Sequence, residues 1–292
     1  MDLYVQLFMN SVQISAVYIL FSLGLTMIFG VMKVVNFAHG EFFSTVLLLL
    51  SVAVPWLIGA SLPLTLAYAL SSVAALGVTL ALGTFLYHFA FQRFQRDMIG
   101  SFVVSVGLSL LIQGVFLEIF GGAPRKLPTL IEGTVNILGG AITIERLILS
   151  AIAILVAAAM CVMIAHTKTG KSLRAVAEDH EAAMLQGIPY RKTALLGFLL
   201  ATFLAAIGGV LVAPVSVITP VVGSDYLIRG FIAIVIGGLG SIPGSIIGAV
   251  LIAVIESVGG FYFDPSQATT AMFVIAILVL LIRPQGLMGK HG

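Results

Sequence analysis

Apolar runs of roughly 20 residues follow one another along almost the whole chain, and this feature constrains the fold more than any other. A helix rises about 1.5 Å per residue, so each run matches the roughly 30 Å hydrocarbon thickness of a bilayer. The alternating pattern of an outer-membrane barrel is absent, and a helix satisfies its own backbone hydrogen bonds in lipid. The sequence therefore predicts an all-α, polytopic membrane protein, with residues 1–292 forming one transmembrane domain.

Composition argues against a water-soluble fold. Of the 292 residues, 60% are hydrophobic and 9% are charged, whereas soluble domains carry about 25% charged residues. The formal net charge of +2 is too small to indicate a nucleic-acid partner. Cys161 is the one cysteine, so neither a disulfide framework nor a metal site can be built around it, and no cofactor is predicted. The start of the chain lacks the basic region of a signal peptide, so the first apolar run is expected to remain as a helix.

Eight or nine crossings are predicted. Segment 227–240 is too short for a simple crossing, and a cluster of Gly and Pro between 237 and 244 separates it from the next apolar run. This interruption indicates either a crossing or a broken, re-entrant helix that is covered by protein or a polar cavity. The predicted spans are 10–32, 42–60, 62–88, 99–120, 147–165, 193–213, 227–240 with 243–260, and 267–282.

The basic residues of the short loops predict the orientation, because such loops remain in the cytoplasm. Three segments carry them: 89–98 (Arg93, Arg96), 166–192 (Lys168, Lys171, Arg174, Arg191, Lys192) and the tail (Arg283, Lys290). Alternation then places the N-terminus and loop 121–146 outside, and the Gly and Pro residues of that loop predict a short hairpin.

The charged segment 166–192 contains Gly170-Lys171-Ser172, which resembles the end of a phosphate-binding loop. That motif requires a glycine five residues earlier, on a turn after a buried strand. Ala165 occupies this position and a long apolar run precedes it. The sequence therefore predicts no nucleotide site and no enzymatic activity for this chain.

Residues 172–185 of the same segment contain no Gly or Pro and are predicted to form one helix. Ser172 is the expected N-cap, and Gly187 followed by Pro189 marks the end. The helix is amphipathic, with Leu173, Val176, Ala177 and Met184 on its apolar side. It would either rest on the bundle or membrane surface, or dock a soluble partner.

A polar cluster, Asn36, His39 and Glu41, lies between the first two apolar spans. Ionisable groups at membrane depth are costly and usually face the bundle interior or an aqueous path, so the cluster is a candidate for the substrate pathway. The alternatives are a water-facing cytoplasmic loop and a proton relay through His39. One His and one carboxylate do not form a ligand set, and no metal site is predicted.

Three further acids lie in or near the predicted spans. Asp225 and Arg229 are four residues apart and could form an ion pair on one helix face. Glu118 and Glu256 lie near the ends of their spans. Structural pairing is favoured over substrate contact for all of them.

Glu181, Ala182 and Ala183 are followed, after three residues, by Gly187. This pattern resembles the Glu-Ala-Ala-x-x-x-Gly loop of importer permeases of the ATP-binding-cassette class, where it forms a coupling helix seated in a cleft of the ATPase. The resemblance implies ATPase contact for Arg174, Glu178, Glu181, Ala182, Ala183 and Gly187.

Three longer stretches, "GLTMIFGVMKVVNFAHGEFF", "RAVAEDHEAAMLQGI" and "RPQGLMG", resemble the branched-chain amino-acid permeases of the Liv type. They occur in the family's order and span essentially the whole chain. The first is closer to the LivH-type subunit than to its LivM-type partner.

This resemblance implies an importer in a bacterial inner membrane that works by alternating access. Its expected partners are a LivM-type permease, two cytoplasmic ATPase subunits, a periplasmic binding protein and the lipid bilayer. Relatives of this type also import urea, short amides and aromatic acids, so the substrate stays open, as does a homo- or heterodimeric core. The rival from another class is an ion-driven secondary transporter with Glu118 and Glu256 as ion ligands.

Overall fold

The computed structural model describes residues 2–94, 97–137 and 139–289. Arg96 and Lys290, two of the basic residues that predict the orientation, lie outside these ranges. The helices are α1 (Asp2–Met32), α2 (His39–Gly59), α3 (Leu64–Phe89), α4 (Met98–Phe120), α5 (Ile144–His166), α6 (Lys168–Glu178), α7 (His180–Leu185), α8 (Tyr190–Val212), α9 (Val222–Gly237), α10 (Ile242–Tyr262) and α11 (Pro265–Ile282). Two antiparallel strands, β1 (Thr134–Ile137) and β2 (Gly140–Thr143), form the predicted hairpin.

Eight of the helices in the described residues are long and apolar enough to cross a membrane: α1 to α5, α8, α10 and α11. The prediction of an all-α, polytopic membrane protein is confirmed. The interrupted segment predicted at 227–240 is α9, which has 16 residues and therefore extends only about 24 Å. Its first turn lies inside the bundle, where the N–H of Gly223 donates to Ser44 Oγ at 2.9 Å.

The central helices are α1, α8 and α2. In the most apolar 18-residue stretch of each helix, 78% of the residues are buried in α1, 67% in α8 and 56% in α2. The corresponding fractions are 22% in α4 and in α5 and 17% in α11. The outer helices therefore present most of their apolar side chains to the surroundings, as expected of helices that face lipid. The core is accordingly built where α1, α8, α2 and α9 meet.

Small residues allow these helices to pack closely. The backbones of Gly40 in α2 and Gly223 in α9 are in direct contact. In the α9–α10 pair, Gly248 lies directly against the backbone of Ala233. Because lipid gives helices no hydrophobic reason to associate, this close van der Waals packing supplies much of the cohesion.

The contacts of α1–α4 recur in α8–α11. Helices α1 and α8 are antiparallel, since Gly24 lies beside Ala201 while Val31 lies beside Gly197. Helix α1 packs against α9 and α10, and α8 packs against α2 and α3. The α2–α3 and α2–α4 contacts have counterparts in α9–α10 and α9–α11. The match is not complete among the described residues, since α10–α11 has no equally extensive α3–α4 counterpart and α1–α10 is more extensive than α3–α8. This is the pattern of an inverted repeat, in which the starts of α2 and α9 meet inside the bundle.

The two ends of the bundle carry different structures. At one end, the hairpin end, the N–H of Ala141 in β2 donates to Gln6 Oε1 near the start of α1 at 2.9 Å. At the other, the α6–α7 end, α6 packs against α1, α5 and α8, and α7 packs against α8.

Candidate functional site

The charged segment folds as two short helices, so the prediction of one helix over 172–185 is wrong. Asp179 interrupts it with extended backbone angles of φ −149° and ψ 109°, and its Oδ1 accepts from the N–H groups of Glu181 and Ala182 at 2.9 and 3.1 Å. Asp stabilises a helix start in this way because the first N–H groups of a helix lack backbone partners. The short α7 thus begins where the carboxylate of Asp179 caps it.

The first helix also begins earlier than predicted. Thr167 is the N-cap of α6, and its Oγ1 accepts from the N–H of Gly170 at 3.0 Å. Ser172, the predicted cap, lies within the helix and donates to the carbonyl of Lys168 at 3.1 Å. Thr167 and Ser172 both have a hydroxyl group that can cap a helix. Thr167 is the cap because α5 ends at His166, directly before it, and α6 starts at once.

The predicted helix end at Gly187 is confirmed. Gly187 has a φ of +81°, a conformation that residues with a Cβ rarely adopt. Its N–H donates to the carbonyl of Met184 at 2.9 Å, and the N–H of Ile188 donates to that of Ala183 at 3.0 Å. These bonds satisfy carbonyls at the end of α7, as in many glycine-terminated helices.

The residues implied by the coupling-helix resemblance fall into two groups. The first group lies at the surface of the α6–α7 end and consists of Arg174, Glu178, Glu181, Ala182 and Gly187.

Ala183 differs, because it is only 4% exposed and packs within the chain. The expectation that Ala183 contacts an ATPase is therefore not met by this structure. The side chains next to it on the open face of α7 are Met184 and Leu185, exposed by 47% and 87%. The prediction that Met184 shares one helix side with Leu173 and Val176 is wrong: those two are buried and Met184 is exposed, because the break at Asp179 turns α7 relative to α6.

The Gly170-Lys171-Ser172 triplet lies in the first turns of α6, directly after α5. Gly170 is buried, and its Cα lies close to the backbone of Ile164 at the end of α5. The glycine thus permits a tight helix-to-helix connection. This geometry differs from the strand, loop and helix that surround a bound phosphate.

The polar cluster Asn36, His39 and Glu41 is inside the bundle, with exposed fractions of 3%, 0% and 0%. Asn36 lies in the break between α1 and α2, and the other two lie in the first turn of α2. The alternative of a water-facing loop is therefore wrong. The apolar spans alone could not show this, because it depends on α2 starting beside the middle of α1 and α8.

Glu41 joins three helices through hydrogen bonds. Its Oε1 accepts from Ser109 Oγ at 2.8 Å and from Gln113 Nε2 at 2.7 Å, both in α4. Gln113 Nε2 also donates to Ser224 Oγ in α9 at 2.7 Å. Sequence reasoning missed Ser109, Gln113 and Ser224, although Gln113 is the one amide in the apolar run of α4.

His39 lies among aromatic rings. Its ring centroid is 4.8 Å from that of Phe21 in an edge-to-face arrangement, and Gly24 leaves room for the imidazole. Among the described residues, the side-chain amide of Asn36 and Glu41 Oε2 have no hydrogen-bond partner although they are buried. Such groups cost about 1–3 kcal/mol each when unsatisfied, so this region is less stable than an apolar core of the same shape would be.

The predicted ion pair between Asp225 and Arg229 is not formed. Instead, Arg229 Nε lies 3.2 Å from Glu256 Oε2 in α10. Asp225 is exposed, and no basic side chain among the described residues lies within ion-pair distance of it. The Tyr18 hydroxyl of α1 donates to the same Glu256 carboxylate. Tight α9–α10 packing brings Glu256 to Arg229, and a partly buried partner competes well with an exposed one. Structural pairing is thus found for Glu256, whereas Glu118 is exposed on α4.

The whole bundle, including this buried polar region, matches one family. A family model described as "Branched-chain amino acid transport system / permease component" matches residues 7–282. The chain belongs to this family.

Two relatives are similar to this chain over nearly their full lengths, and a third is similar over about half. The permease protein BraD of the high-affinity branched-chain amino acid transport system of Pseudomonas aeruginosa is 29% identical over 98% of this chain and 96% of its own. LivH of the corresponding system of Salmonella typhimurium is 28% identical with the same coverage. A probable LivH of Methanocaldococcus jannaschii is 32% identical over 47% of this chain and 46% of its own. No solved structure matches the chain significantly.

Proposed function

We propose that the chain is the permease subunit of an ATP-driven importer for branched-chain or related hydrophobic amino acids. The observation that carries the coupling to ATP is the exposed surface of α6 and α7, two short helices seated on the end of the transmembrane bundle. The substrate class follows from the names of the relatives, which are permeases of branched-chain amino acid systems. Urea, short amides and aromatic acids are the alternative substrates.

The α6–α7 end lies in the cytoplasm in this proposal, and the hairpin end faces the periplasm across a bacterial inner membrane. Two ATP-binding-cassette subunits contact the first end, and a periplasmic binding protein delivers the amino acid to the second. A LivM-type permease completes the core unless two copies of this chain do so. The single domain 1–292 supplies no nucleotide site and no covalent chemistry of its own.

The coupling surface consists of Arg174, Glu178, Glu181 and Ala182, with Met184 and Leu185 as an apolar contact beside them. Exposed apolar side chains rimmed by charges are typical of interaction sites. Ala183 and Gly187 act differently: the first anchors α7 to the bundle, and the second ends the helix.

The substrate pathway passes Asn36, His39 and Glu41. Support comes from the burial of three polar side chains at the start of α2, within the bundle, where unsatisfied groups are expensive. Glu41 also bridges α2 to α4 and α9 through Gln113 and Ser224, so a movement of α9 would change its environment.

Reconstitution tests the function directly. Proteoliposomes that contain the chain, its partner permease and the ATPases should accumulate leucine only with ATP inside and binding protein outside. Uptake by the chain alone, without ATP and driven by an ion gradient, would instead establish a secondary transporter.

A further inference from the structure

A cavity of about 160 Å³ lies between α1, α5, α8 and α10, separate from the polar cluster of α2. Its polar walls include Tyr18, Tyr226 and Glu256, and its apolar walls include Val17, Leu211 and Val212. Arg146 and Ser216 line it from segments at the hairpin end, next to β2 and between α8 and α9.

The two carboxylate oxygens of Glu256 have different surroundings in this cavity. The Tyr18 hydroxyl donates a hydrogen bond to Oε2 of Glu256, and Arg229 Nε lies 3.2 Å from the same oxygen as an ion-pair partner without a hydrogen bond. Oε1 of the same carboxylate has no hydrogen-bond partner among the described residues and is not fully enclosed by protein. A carboxylate accepts several hydrogen bonds, so this oxygen can receive a cationic donor without displacing the two existing partners.

The cavity is suited to one small amphipathic molecule. Its volume corresponds to about five water molecules, which is the size class of a single aliphatic amino acid. Small-molecule sites combine apolar walls with a few converging polar groups. Here an aliphatic chain would lie against Val17, Leu211 and Val212, while an ammonium group would meet Glu256.

One wall of the cavity separates it from the polar cluster. The Tyr226 ring packs 4.3 Å from Phe43 and 6.4 Å from Phe21, measured between centroids. Phe21 in turn contacts His39 at 4.8 Å. Tyr226, Phe43 and Phe21 thus form an aromatic layer between the cavity and the group assigned to the pathway.

We propose that this cavity binds the amino acid inside the permease before it crosses the aromatic layer. Glu256 Oε1 accepts hydrogen bonds from the ammonium group, and Arg146 at the hairpin end faces the carboxylate. The inference rests on the proposed import of amino acids and adds the site and the group that recognises the substrate.

Protection of a cysteine tests the proposal. Ser216→Cys is made in a Cys161→Ala background, and the assembled complex is labelled in phosphatidylcholine nanodiscs with a membrane-impermeant thiol reagent. Leucine should slow labelling by about tenfold at ten times its Kd. 3-Methylbutylamine, which keeps the ammonium group, should also protect, whereas 4-methylpentanoate, which lacks it, should not.

Two variants assign the effect to Glu256. Glu256→Gln should abolish protection, and the double variant Glu256→Gln/Arg229→Gln should do the same without leaving an unpaired buried guanidinium. Thr129→Cys, exposed in the loop at the hairpin end, is the control, and leucine should leave its labelling unchanged.

Three outcomes would overturn the proposal. The first is unprotected labelling of Ser216→Cys when the same variant complex, reconstituted in proteoliposomes, still shows ATP-driven leucine uptake, which refutes the cavity and keeps the proposed function. The second is equal protection at Thr129→Cys, which indicates a conformational change instead of occupancy. The third is slow labelling caused by phosphatidylethanolamine alone with no effect of leucine, which makes the cavity a lipid headgroup site.

Discussion

Gly40 in the first turn of α2 lies against Gly223 in the first turn of α9, and no side chain separates the two backbones. A Cβ at Gly40 would lie 2.5 Å from the carbonyl oxygen of Gly223. This contact holds the starts of the two helices together and brings Glu41 of α2 and Ser224 of α9 to the same Gln113 of α4.

Gly40→Ala should therefore destabilise the bundle by about 1–3 kcal/mol, because the added methyl group has no space against a backbone oxygen. Thermal unfolding of the purified protein in detergent, followed by size-exclusion chromatography, measures the effect. Gly114→Ala, in α4 with no atom within 4 Å of the new Cβ, is the matched control and should unfold like the wild type. Equal stability of the two variants would show that the α2–α9 contact can relax.

Glu41→Gln should reduce leucine uptake by roughly tenfold or more, equivalent to about 1.4 kcal/mol in the transport barrier. The substitution keeps the size of the side chain and replaces with an amide the carboxyl group that accepts hydrogen bonds from Ser109 and Gln113. ATP-dependent uptake in proteoliposomes with equal amounts of permease measures the effect. Glu118→Gln, an exposed acid on α4, should transport normally; normal transport by Glu41→Gln as well would remove Glu41 from the pathway.

Leu185→Glu and Ala183→Glu should fail in different ways. Leu185 is exposed, so its substitution should leave the permease folded and weaken retention of the ATPases. Ala183 is buried, and a charge placed there would be unpaired, so the permease itself should lose stability. Co-purification of the ATPases and thermal stability, measured on both variants, separate the two effects. Wild-type ATPase retention by Leu185→Glu would exclude the open face of α7 from the coupling surface.

The orientation can be tested with single cysteines in intact cells. A cysteine at Lys171 in α6 should be shielded from an impermeant thiol reagent, and one at Thr129, on the loop before β1, should react. Labelling of the Lys171 position from outside would reverse the orientation and contradict ATPase contact at α6 and α7.

Much of the fold could be predicted from the sequence because long apolar runs have one common solution in a bilayer. The eight long spans and the interruption before Pro243 follow from that local pattern. Gly187 was also predictable, since the end of a helix at a glycine depends on neighbouring residues. The break at Asp179 was harder, because the same Ala-rich segment supports one long helix or two short ones.

The long-range contacts could not be predicted in this way. Asp225 and Arg229 are four residues apart, which favours a pair on one helix, yet Arg229 binds Glu256 because α10 packs tightly on α9. Likewise, nothing in the apolar run of α4 indicates that Gln113 meets Glu41.

The sequence by itself determined the class of the protein, its spans and the position of its charged segment, because each of these depends on residues within about one helix length. Only the tertiary structure decided which side chains are buried, which partners they have and which face of α7 is open. The physical reason is that a buried polar group takes the partner that packing brings nearest, and packing joins residues such as Tyr18 and Glu256 that are 238 positions apart.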